Sequence, residues 1–148
     1  LAAVALPNLL GQVGKARESE AKSQVGAVNR AQQSYYTENT AFAETADDLE
    51  VPLPSKAAGT SKYYDFTLGS GGAVGSILAL NANNDKDGTR DYIGGTSYNT
   101  TDRAFATVVC RVNKDVTGAF GTHLTNEGII TSGSGTNVAC AGTSKAVK

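Results

Sequence analysis

Between Asn83 and Asp91 the stretch NNDKDGTRD places oxygen-bearing side chains at alternate positions. Counted from Asn83, the residues Asn83, Asp85, Asp87, Gly88 and Asp91 match the ligand and glycine positions of a calcium loop, and oxygen ligands suit a hard cation. Two features oppose calcium. Gly94 stands where the closing bidentate glutamate belongs, and Lys86 and Arg90 put positive charge into the loop. The competing reading is a polar hairpin turn with Asp87-Gly88 at its tip. Cys110 and Cys140, an even pair, read as a disulfide formed outside the cytosol, with two buried thiols as the alternative. His123 is the one histidine and lies in a Gly/Thr-rich stretch that marks no triad partner. No phosphate-binding glycine loop and no metal-spaced His/Cys set appears, so the sequence reads as non-enzymatic and, calcium aside, without a cofactor. Asn99-Thr100-Thr101 has the spacing of an N-glycosylation acceptor. Lys15, Arg17 and Lys22 form a small basic cluster with Glu18 and Glu20 interleaved. That mixture reads as a solvated helix face or as charge pairing between neighbouring copies. With 13 basic and 14 acidic side chains, the whole molecule offers no general attraction to nucleic acid or anionic lipid, and no specific nucleic-acid site is evident.

The elements that must carry these residues follow from composition and period. At 148 residues the chain suits one domain with a real core. From Leu1 to about residue 37 the residues are helix formers, and Ala21, Val25, Val28, Ala31 and Tyr35 recur every three or four positions, one face of a helix packed on a sheet. Glu18 and Lys22 have the order and spacing of a helical ion pair. A helix of that length reaches on the order of 54 Å, more than a body this size can cover, so part of it protrudes. The protruding part is its front. Leu1, Val4, Leu6, Pro7, Leu9, Leu10 and Val13 lie in an uncharged run that is apolar around most of its circumference and calls for burial on all sides. It is shorter than the roughly 20 residues a membrane span needs, and the expectation is that a further apolar stretch precedes Leu1. Pro7 removes one helical hydrogen bond, and Gly11 and Gly14 weaken the same third of the helix.

Residues 38–62 hold loop punctuation, with Phe42, Leu49, Val51 and Leu53 as anchors. Strands are expected at Tyr63–Leu68, Ser76–Ala82, from Asp91 to Gly95, and at Ala104–Val112, an antiparallel sheet within 63–112. Residues 69–75, NNDKDG and SYNTTD read as the turns between them. The tail 113–148 is Gly/Thr/Ser/Asn-rich, with a short strand at Gly128–Thr131, and Cys140 ties it to the strong strand at Cys110. The fold class is α+β: one long helix, a loop, then consecutive antiparallel strands.

The opening LAAVALPNLLGQVGKARESEAKSQVGAVNRAQQSYYTEN resembles the N-terminal helix of type IV pilins, of the IVa-like kind and most of all those of cyanobacteria. The likeness covers about the first third of the chain; beyond it the likeness is one of architecture. It implies the pilin fold, with a disulfide-closed C-terminal region. It also implies that a basic leader, a methylated Phe and an assembly Glu stand ahead of Leu1. By the same resemblance, the chain is the major subunit of a surface filament serving motility, adhesion or DNA uptake. It would be held in the inner membrane, cut by a prepilin peptidase, and passed by the pilus assembly machinery into a helical homopolymer. The front of the helix would form the filament core and melt near Pro7. The alternatives are a minor pilin, a secretion pseudopilin or, more remotely, a secreted monomeric binding module.

Overall fold

The computed structural model describes residues 2–69, 73–112, 129–131, 138–140 and 145–147. Helix α1 spans Ala2–Asn39, 38 residues, and runs unbroken through Pro7, Gly11 and Gly14. Short helix α2 (Ala46–Leu49) follows, then strands β1 (Asp65–Leu68) and β2 (Val74–Leu80), the one-turn helix α3 (Asn84–Asp87), and strands β3 (Tyr92–Asn99) and β4 (Ala104–Arg111). The tail contributes β5 (Ile129–Thr131), β6 (Val138–Cys140) and β7 (Lys145–Ala146). Among the described residues, one antiparallel sheet has the order β1-β2-β3-β4-β7, and β5 pairs with β6 in a second, two-stranded sheet.

Helix α1 packs on one face of the larger sheet because strand alternation sends Ile77, Ala79 and Tyr92 toward Val25, Val28 and Ala21. Gly94 permits the close approach: a Cβ there would lie 2.4 Å from Val25 Cγ1. The intervening residues Leu78, Ile93, Cys110 and Val112 form a second core on the opposite face, with Val138 and Cys140 packed against it. The Cys110–Cys140 disulfide fastens that second layer to β4. Apolar cover on both faces explains why β2 reads VGSILAL, a nearly continuous apolar run rather than a clean alternation.

Several sequence expectations change. The expected ion pair of Glu18 with Lys22 is absent from the structure; Glu18 turns into the core instead. The proposed hairpin at Asp87-Gly88 is a single helical turn, closed by Gly88 in the left-handed region at φ 67°. Strand β3 continues through Ser97, Tyr98 and Asn99, so the turn there is confined to residues 100–103. The larger sheet is not limited to residues 63–112, because β7 joins its edge through Cys110↔Ala146 and Arg111↔Lys145. Leu1, His123 and Gly128 lie outside the described residues.

Candidate functional site

Among the described side chains of α1, Gly14, Glu18, Ala21, Val25, Val28 and Gln32 are buried in alternating steps of four and three along a seam that faces the sheet, with Asn29 buried beside Val28. Ala31 and Tyr35, expected on that seam, pack at its margin as partly buried residues. Gln32 ends the seam, fully buried, and sequence reasoning missed it. Its amide donates to the Ala43 carbonyl at 3.0 Å and its carbonyl oxygen accepts from the Ala43 N–H at 2.9 Å. This two-way clamp satisfies both backbone groups of a buried residue and ties the loop after α1 to the helix. The sequence signal was only a polar residue in the right phase.

Glu18 is the second missed residue. It is 2% exposed and lies where the apolar face was expected to begin. Tyr92 donates its hydroxyl proton to Glu18 Oε2 at 2.5 Å, and Arg111 donates from Nη2 to Oε1 at 3.1 Å and from Nε to Oε2 at 3.3 Å. Helix, β3 and β4 thus meet on one carboxylate. Burial pushes the Tyr92 hydroxyl well above the usual tyrosine range, and the hydrogen bond and negative charge of Glu18 add to it. Burial likewise raises Tyr64, with the charges of Glu18 and Asp91 contributing. For Arg111, burial works against the charge, but the hydrogen bond and charge of Glu18 outweigh it and hold the guanidinium above its ordinary value.

Gly14 marks where the helix leaves the body. A Cβ there would lie 2.3 Å from the Gly88 carbonyl oxygen, so the C-terminus of α3 rests directly on the helix backbone. Arg17 secures the contact, donating from Nη1 to the Asp87 carbonyl at 2.7 Å with the Asp87 carboxylate 3.7 Å away. In front of Gly14, Leu9 is 56% and Val13 38% exposed. The predicted core positions Val4, Leu6, Pro7 and Leu10 fall on the same stretch of helical backbone. Beside the exit, Val13, Ala16, Arg17, Glu20 and Tyr63 line an open groove of about 340 Å³.

Asp87 and Asp91 of the calcium motif spend carboxylate oxygens on neighbouring amides. Asp91 Oδ1 accepts from the Asn81 N–H at 2.9 Å and from Asn84 Nδ2 at 2.8 Å. Asn81 Nδ2 donates to Asp87 Oδ2 and Thr89 Oγ1, and Asn81 Oδ1 accepts from the Asn83 N–H. Asp85 lies exposed on α3. Among the described residues no group of three or more His, Cys, Asp or Glu side chains gathers to hold a metal ion. Asn99 is nearly buried, its amide donating to Asp102 and its carbonyl oxygen capping the N–H groups of Thr101 and Asp102, a turn-forming role.

A helix projecting from an antiparallel sheet, with a disulfide closing the far layer, is the architecture of the pilin class of structural subunits. The chain belongs to the family described as type IV pilin-like G and H, whose family model matches residues 18–141, from the buried Glu18 to just past the disulfide. No curated protein and no solved structure matches the chain. The family supports a structural role, self-assembly into filaments and an extracellular place in them. Among the described residues, no helix is long and apolar enough by itself to cross a membrane.

Proposed function

We propose that this chain is the major subunit of a type IV pilus, polymerising through the front of α1 into a surface filament for motility, adhesion or DNA uptake. The observation that carries the reading is the apolar surface ahead of Gly14, where Leu9 and Val13 stand uncovered by the chain's own body. Large apolar side chains on a projecting helix are stabilised by burial, at about 25 cal/mol per Å², and sister copies supply the cover in a filament. Before assembly the same front is held in the inner membrane, where the pilus assembly machinery and prepilin peptidase act on it. On this reading residues 1–14 are the assembly segment, 38–62 the loop that follows the helix, and 113–148 the C-terminal loop region tied by Cys110 and Cys140. The test is the composition of filaments sheared from the cell surface. This chain should be their main component, and Leu9→Glu with Val13→Glu should remove it from the filament while the secreted body stays folded. A sheared filament in which this chain is scarce overturns the major-subunit reading.

A further inference from the structure

Of the two acids interleaved with the basic cluster, the fold withdraws Glu18 from the surface and leaves Glu20 partly exposed. Glu18 is buried against Arg111 and Tyr92. Asp87 is engaged by Arg17 and Asn81, and Glu20 accepts from Ser61 Oγ at 2.6 Å. The cations, in contrast, collect around the helix exit. Arg17 lies over the Tyr63 ring at 4.7 Å, and the Lys62 ammonium lies 5.6 Å from the same ring. Lys15 is exposed one residue past Gly14, and Lys86 is exposed on α3, which rests on Gly14. Asp85, beside Lys86, is the exposed carboxylate of this group. Of the two cations on the Tyr63 ring, Arg17 already has the Asp87 carboxylate 3.7 Å away, whereas Lys62 is exposed to solvent.

We propose that Lys15, Arg17, Lys62, Tyr63 and Lys86 form a collar that seats the body on an anionic lipid surface, with the uncharged front of α1 entering the bilayer. Twelve helical residues from Ala2 to Val13 reach about 18 Å, more than half of a hydrocarbon core, which brings the collar to the headgroups. An apolar helix followed at once by basic and aromatic side chains matches the two layers of that interface in order. The groove between Val13 and Tyr63 then lies at the headgroup boundary, where Arg17 and Tyr63 offer a cation and an amphipathic ring and Glu20, also in its lining, accepts from Ser61.

This inference rests on the membrane-held stage proposed above. Its test is flotation of the full chain with vesicles of phosphatidylcholine alone or mixed with phosphatidylglycerol. The collar predicts tighter binding to the anionic vesicles, weakened by salt. Lys15→Gln with Lys62→Gln should lower that affinity roughly 25-fold, about fivefold per charge at a membrane surface. Arg30→Gln with Arg103→Gln, which removes the same charge from exposed sites elsewhere, should leave it within about twofold. Equal binding to both vesicle types, or equal losses in the two variants, overturns the collar alone. Binding to neither vesicle overturns the membrane stage and the collar with it. Collar variants that bind vesicles normally but fail to enter filaments assign these residues to contact between copies and also overturn the proposal.

Discussion

Truncating Glu18 to alanine separates the three elements that converge on it. Tyr92 has no exposed surface, and without the carboxylate its hydroxyl donor is left buried and unpaired, which costs about 1–3 kcal/mol. Arg111 also loses its partner. Its side chain is 46% exposed, so water takes over part of that role and the ion pair contributes no more than about 1 kcal/mol. The sum is about 3 kcal/mol, and for a domain of this size it lowers the melting midpoint by about 10 °C. Glu18→Gln keeps an acceptor for Tyr92 and should cost only about 1 kcal/mol. Thermal and urea unfolding of the wild type, Glu18→Ala, Glu18→Gln and Tyr92→Phe measure these differences. The reasoning fails if Glu18→Ala unfolds within about 0.5 kcal/mol of the wild type, or if the alanine and glutamine variants are equally unstable, since the second result makes the hydrogen bond irrelevant.

Alkaline pH offers an independent check on the same region. Tyr92 and Tyr64 have folded-state pKa values raised above the unfolded value of about 10, so their contribution is intact below about pH 10 and is lost as pH climbs beyond it. Stability followed by circular dichroism should therefore fall above about pH 10, and less steeply in Tyr92→Phe. Gly94→Ala should cost about 1–3 kcal/mol, because its Cβ meets Val25 at 2.4 Å; Val25→Ala in the same chain should recover part of the loss, which a double-mutant cycle reads directly. Gln32→Leu leaves both backbone groups of Ala43 unpaired, and should cost about 2–4 kcal/mol with faster amide exchange at Ala43. Replacing Cys110 and Cys140 by serine opens a loop of 30 residues' separation and should lower stability by about 3–4 kcal/mol in reversible denaturation, with the second core behind β2 and β3 exposed first.

Local rules reached far into this protein. Helix propensity and the three-and-four spacing of Ala21, Val25 and Val28 were enough to foresee a long helix laid on a sheet. Alternation in Tyr63–Leu68, the run Ser76–Ala82 and the β-branched Ala104–Val112 located three strands, and Asp91–Gly95 the start of a fourth, because those signals depend on neighbours a few residues away. The lack of charge ahead of Lys15 announced a segment seeking cover, for the same reason. Partnership across the chain was another matter. Helical phase puts Glu18 on the seam and Glu20 off it, but only the fold supplies the partner that lets a carboxylate stay buried there: Arg111, 93 residues away, while Glu20 remains partly exposed beside Ser61. Gln32 stood in the phase of the seam, but the partner that makes its burial tolerable, Ala43, came within reach only in the fold. The calcium-like spacing at Asn83–Asp91 lists ligands by position, whereas the fold turns Asp87 and Asp91 toward Asn81, Asn84 and Arg17. Whether a polar side chain faces water, metal or another side chain is an energy of desolvation set against available partners, and those partners are assembled only by tertiary contact.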